Sequence, residues 1–106
     1  MAGVQTGNGN TGVLRESYRY TRIAAGLATT VVKAAPGTLH AIVINTSGAS
    51  SNTITVYDNT AGSGTVVALI DGTTDEKTLF YEADMLTGIT LVSATGTGAD
   101  LTVLWT

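Results

Sequence analysis

Few side chains in this sequence can exchange a proton, hold an ion or act as a nucleophile. His40 is the single histidine, and there is no cysteine. A Ser-His-Asp site would need a serine on a Gly-x-Ser-x-Gly elbow. Ser63, within Ala61-Gly62-Ser63-Gly64-Thr65, lacks the upstream glycine of that motif. His40 stands between Leu39 and Ala41-Ile42, the setting of a packed or interface residue. One histidine would hold a metal only if symmetry-related copies met on an axis. Asp58 and Asn59, ahead of Gly62 and Gly64, offer oxygen atoms to calcium. A calcium loop, however, needs several ligands and usually more than one carboxylate. The expectation there is a loop between strands, with Asp58 or Asn59 bonded to its own backbone and the glycines at positive φ. Gly7 to Gly12, GNGNTG, matches the dinucleotide pattern by letter, but no strand precedes it, no helix follows it and no acid stands near Ala28 to Val32. The acid pairs Asp75-Glu76 and Glu82/Asp84 lack the sugar-stacking aromatics that glycoside chemistry uses, and read as a solvated rim. Asn45-Thr46-Ser47 is a glycosylation sequon by pattern only. No catalytic residue, metal site or cofactor is expected, and the chain is not read as an enzyme.

The cluster with most to offer is Arg15, Tyr18, Arg19, Tyr20 and Arg22. Tyr and Arg are the types enriched where proteins meet. They suit either a contact with a neighbouring subunit or an edge strand shielded by arginines against aggregation. These five and His40 are the candidate residues of an interface with another subunit or partner. Residues 1–33 hold a local balance of +3 and residues 34–106 one of −6, for a net −3. A basic N-terminal stretch on an acidic body can dock on an acidic neighbour. Four cations are too few for a nucleic-acid footprint, and the acidic whole repels phosphate.

These residues need a scaffold, and its period is two. Residues 1–16, rich in Gly, Asn and Thr, read as a flexible or extended arm, and 17–106 as one domain. Tyr18, Tyr20 and Arg22 alternate with Arg19, Thr21 and Ile23. Thr53, Thr55 and Tyr57 alternate with Ile54 and Val56. Ile89 and Leu91 oppose Thr90 and Val92, and Leu101, Val103 and Trp105 share a face. Leu39 to Asn45 is apolar in both phases, with Leu39, Ala41 and Val43 on one side and His40, Ile42 and Ile44 on the other. That marks a central strand covered on both faces. Pro36-Gly37 marks a turn, Asp71-Gly72 a hairpin-type turn, and Tyr81 to Met85 has room for one helical turn. About eight strands at a spacing near ten residues predict an all-β fold: an antiparallel β-sandwich, jelly-roll-like, with an immunoglobulin-like sandwich as runner-up. No signal-like N-terminus and no apolar run of roughly 18 residues occur, so a soluble chain made in the cytoplasm is expected, with no membrane partner.

Charged residues make up 12% of the chain, against roughly 25% in an ordinary soluble domain. So few charges leave a poorly defended surface, which implies cover by partners, most simply by further copies of the chain; the alternative is a Thr-rich surface solvated through its hydroxyls.

Three segments carry a resemblance. Val32 to Asn45 (VKAAPGTLHAIVIN), Ile54 to Thr65 (ITVYDNTAGSGT) and Thr78 to Trp105 together resemble small structural proteins of tailed bacteriophages, the capsid decoration or cement proteins and related head- or tail-fibre modules. The match spans about residues 30–106 and leaves the arm outside. It implies a β-sandwich, often jelly-roll-like and trimeric, without enzyme activity. It further implies a place on the capsid surface of the virion, with the major capsid protein and the chain itself as partners. Binding only to the assembled lattice would stabilise the shell by mass action, and three linked contacts would add avidity. The alternative within the resemblance is a fibre module that recognises a host glycan through Tyr57, Tyr81 or Trp105.

Overall fold

The computed structural model describes residues 17–26, 28–74, 76–94 and 97–106. The arm, with the Gly7 to Gly12 run and Arg15, lies outside the described residues, as does Asp75. The described chain forms eight strands, β1 (Arg19–Ile23), β2 (Thr29–Lys33), β3 (Gly37–Thr46), β4 (Thr53–Asp58), β5 (Thr65–Asp71), β6 (Lys77–Met85), β7 (Ile89–Ala94) and β8 (Asp100–Trp105). They make two antiparallel four-stranded sheets, ordered β1-β8-β3-β6 and β2-β7-β4-β5. The pairs β1/β8, β2/β7, β3/β6 and β4/β5 are those of one long hairpin bent at the β4–β5 loop. Wrapping that ribbon adds the pairs β3/β8 and β4/β7 and closes two Greek keys. This is the strand order of a jelly roll, and the expected fold class stands.

Alternation decides which side chains fill the space between the sheets. Ile23, Leu101, Val103, Leu39, Ile42, Ile44 and Met85 come from the first sheet, and Val32, Ile89, Leu91, Ile54, Val56 and Ile70 from the second; all are buried. Their β-branched and leucine side chains suit a pleated, covered face. The loops at one end are tied by a polar side chain, Asn52, at 2% exposure. Its Nδ2 donates to Ser93 Oγ at 2.9 Å and to Ala94 O at 3.0 Å, and its Oδ1 accepts from Ala99 N at 3.2 Å. Its backbone carbonyl accepts from Gly72 N at 2.9 Å. One residue thus joins three connections, those before β4, after β5 and after β7.

Three local expectations change. The Asp71-Gly72 turn does not make a hairpin, because β5 and β6 belong to different sheets. Asp71 Oδ1 instead accepts from Thr73 N at 2.9 Å and Thr73 Oγ1 at 2.6 Å, which bends the chain across the sandwich edge. The Tyr81 to Met85 stretch is strand, not a helical turn. In β3 the alternation slips. Leu39 pairs with Trp105 and Ala83, while Ala41 pairs with Leu104 and Phe80. Two steps along β3 therefore match one along β8 and three along β6. The bulge turns His40 and Ala41 to the same outer side, so Leu39, Ile42 and Ile44 face inward together. The sequence-based assignment of Leu39 with Ala41 and Val43 fails for this reason.

Candidate functional site: an aromatic face on the first sheet

The bulge in β3 builds the most distinctive surface of the molecule. Register places Tyr20 of β1 beside Leu104 of β8, Leu104 beside Ala41 of β3, and Ala41 beside Phe80 of β6. The outer side of the sheet thus carries a row with a small buried alanine at its centre. Tyr20 is 75% exposed and Phe80 70% exposed at its two ends. His40 projects on the same side. Its ring stacks on Tyr18 with centroids 3.9 Å apart and planes at 8°, and meets Phe80 edge-on at 5.8 Å. Both arrangements are favoured for rings with a π-quadrupole. Glu82, opposite the bulge, adopts φ +51°, a left-handed conformation that non-glycine residues seldom take. Its Oε1 contacts His40 Nδ1. Strain of this kind at a bulge that redirects a side chain recurs at functional surfaces.

Beside the rings lies an open cleft of about 300 Å³ lined by Ser17, Tyr18, Thr38, Glu82 and Thr106. Among the described residues that line it, the one charged side chain is the Glu82 carboxylate, which disfavours anions. Further along the face, Arg22 donates from Nε to Asp100 Oδ1 at 3.1 Å and from Nη2 to Asp100 Oδ2. Asn45 Nδ2 donates to Asp100 Oδ1 at 3.0 Å and to Thr102 Oγ1 at 2.9 Å. The bonds from Arg22 and Asn45 hold the Asp100 carboxyl below its usual pKa.

Of the six interface candidates, Tyr18, Tyr20 and His40 are brought together on this face. Arg22 shares the face but is engaged in the bidentate pair that ties β1 to β8. Arg19 is exposed and is the Cα partner of Trp105, in the opposite phase of β1 from Tyr20. Arg15 is outside the described residues. Phe80 and Glu82 were not singled out as members of one face with Tyr18. The available signal was an aromatic in the polar phase of Thr78, Glu82 and Asp84.

The other candidates resolve into structure. Asp58 accepts backbone N–H groups from Leu86 at 2.9 Å, Thr87 at 2.8 Å and Gly88 at 3.3 Å, which closes the β6–β7 turn and lowers its pKa. Asn59 braces its own loop, with Nδ2 donating to Ser63 O at 2.7 Å and Oδ1 accepting from Thr60 N at 2.8 Å. Gly64 takes φ +96°, as expected of this loop, whereas Gly62 does not adopt positive φ and is instead packed against Val92 Cγ2. Among the described residues no group of three His, Cys, Asp or Glu side chains could hold a metal, and no helix is long and apolar enough to cross a membrane. The three aromatics assigned to glycan binding do not converge. Trp105 packs against the core and donates Nε1–H to Thr21 Oγ1 at 2.9 Å. Tyr81 also packs against the core, where burial raises its pKa. Tyr57 belongs to the other sheet. Comparison with protein-family models, curated proteins and solved structures returns no match.

Proposed function

We propose that this chain is a structural binding module of a virion, which docks on an assembled phage shell through the outer face of the β1-β8-β3-β6 sheet and stabilises it. The observation that carries the reading is the row Tyr20, Leu104, Ala41, Phe80 with Tyr18 and His40 beside it. Rings left exposed on a rigid sheet are the usual anchors of a protein interface. The charge-poor composition supports a surface destined for cover. Oligomerisation, as the expected homotrimer, would multiply weak contacts into firm attachment.

The test is co-sedimentation of the purified chain with assembled empty phage shells and with unassembled shell protein. Binding to shells alone is expected. The double variant Tyr20→Ala/Phe80→Ala should abolish it while changing stability by no more than about 0.5 kcal/mol each, as for exposed positions. Failure of the unaltered chain to sediment with shells overturns the proposal. A second reading, a glycan-binding fibre module, is favoured by the cleft beside Tyr18, where a ring, three hydroxyl residues and one carboxylate suit a neutral polyol. Calorimetric titration with neutral hexoses separates the two. Saturable heat that is lost in Glu82→Gln favours the glycan reading.

A further inference from the structure

We infer that the β4–β5 half of the second sheet is the surface through which copies of this chain meet. The starting point is a contrast among the four sheet edges, β1, β6, β2 and β5. An exposed edge strand invites pairing and is normally guarded by charge. β1 carries Arg19 and Arg22, β2 carries Lys33, and β6 carries Lys77, Glu82 and Asp84. β5, Thr65-Val-Val-Ala-Leu-Ile-Asp71, has no basic residue and one acid at its end. It leaves Leu69 72% exposed and Val66 49% exposed.

The face beside that edge is uncharged as far as Asp71. Register makes two uncharged rows on the outer side of the sheet, Thr29–Val92–Thr55–Leu69 and Val31–Thr90–Tyr57–Val66, and beyond Leu69 a row Ala94–Thr53–Asp71 that ends in an exposed carboxylate. The β4–β5 loop already covers the half nearer β7. A Cβ on Gly62 would lie 2.7 Å from Val92 Cγ2, and Thr90, wholly buried, donates Oγ1–H to Asn59 O at 2.8 Å. The half formed by Thr55, Tyr57, Val66 and Leu69 remains open. Where the sheets part at this edge, a groove of about 200 Å³ runs between Leu69, Leu79 and Tyr81, with Asp71, Thr74 and Lys77 at its polar side.

Electrostatics selects the occupant. The chain carries net charge −3, so copies approach with least repulsion where acid does not face acid. The Thr55–Leu69 strip meets that condition when two copies run antiparallel, because its one neighbouring acid, Asp71, stands at one end and Lys77 beside it offsets the charge. Two such strips bury apolar surface against apolar surface with the two Asp71 carboxylates at opposite ends. The bulge at Val67, which β5 carries against β4, bends the edge and discourages open-ended strand addition. The contact is therefore made by side chains, with Leu69 at its centre.

This inference does not rest on shell binding. The test is light scattering of the full chain across a concentration series, beside Leu69→Lys and Val66→Thr. The unaltered chain is expected at a multiple of the single-chain mass, and Leu69→Lys at the mass of one chain with a single cooperative melting transition that no longer depends on concentration. Val66→Thr keeps the β-branched shape and covers the case in which the lysine variant fails to fold. It is expected to weaken association about tenfold, the scale of losing part of a buried valine. A monomeric native chain overturns the inference, as does an oligomer that survives both substitutions. A monomer that still sediments with shells sinks this inference alone. An oligomer that ignores shells sinks only the shell reading.

Discussion

Asn52 gives the sharpest test of how this fold is held. Asn52→Ala removes an amide that donates to Ser93 Oγ and Ala94 O and accepts from Ala99 N. Three hydrogen bonds at a net of about 1 kcal/mol each give a loss of about 3 kcal/mol. The domain's total stability is expected to lie at roughly 5–15 kcal/mol. At about 4–8 °C per kcal/mol, the thermal midpoint should fall by about 12–24 °C. Gly72 supplies the second arm of the test. A Cβ there would stand 2.0 Å from Asn52 Oδ1 and 3.1 Å from the Asn52 carbonyl oxygen. Gly72→Ala must therefore displace the same amide, and should cost about as much as losing its bonds, roughly 2–3 kcal/mol. The two substitutions share one cause, so their effects should not add. Once Asn52 is alanine, the Gly72 methyl loses its clash with the amide and keeps only the tight 3.1 Å approach to the backbone carbonyl oxygen, so the double variant should be only slightly less stable than Asn52→Ala alone. The assay is urea denaturation of all four proteins, with unfolding slopes compared to confirm that the transition remains two-state. Additivity to within about 0.5 kcal/mol would show that the Asn52 side chain is not what Gly72 makes room for.

Two further outcomes follow from named contacts. Asp58 has a folded-state pKa below its ordinary value, so the unfolded chain binds the proton more readily. The stability this gives is complete above the usual carboxylate range and is lost as pH falls through that range toward the folded value. Asp58→Asn should be less stable than the parent near neutrality and show a smaller fall in urea midpoint between about pH 6 and about pH 3; an unchanged pH slope would refute the role given to the turn bonds. Gly37→Ala places a Cβ 2.2 Å from Thr106 O and 2.7 Å from Lys33 Nζ. It should break the paired Thr38–Thr106 backbone bonds and move the Lys33 ammonium from its place 5.7 Å from the Trp105 ring centroid, read as a lower melting temperature with a red shift of tryptophan emission.

The sandwich was legible where a strand keeps one phase from end to end. β4, β7 and β8 put Ile54 and Val56, Ile89 and Leu91, and Leu101, Val103 and Trp105 on the faces that simple alternation assigns. β3 was legible as a central strand, but its phase was not, because that phase is set from outside. Fitting Trp105–Leu104 on one side and Ala83–Phe80 on the other forces a slip at His40 that no local propensity announces. The same limit hid Asn52, whose side-chain partners stand 41, 42 and 47 residues away. Turn chemistry at Asp71-Gly72 marked a reversal correctly, but a reversal does not say which sheet receives the next strand. In the candidate site, Tyr18, Tyr20 and His40 stood out by type. Phe80 and Glu82 joined them only through the β3/β6 register.

The two outer faces differ in a way that bears on both proposals. The first sheet presents rings, the His40–Glu82 contact and the Arg22–Asp100 pair, groups with direction and charge that can specify a partner. The second presents Tyr57 with threonine and aliphatic side chains, bounded at one end by Asp71, beside the one edge strand without a cation. A single face asked to serve both self-contact and attachment would face competition between them, because each occupant would exclude the other. Placing them on opposite sheets of one sandwich removes that competition. Copies can associate through β5 while every Tyr20–Phe80 row remains open. Charge reversal on one face should then leave the other's binding intact. Leu69→Lys chains should still reach the shell, individually and more weakly, because only the avidity has been lost.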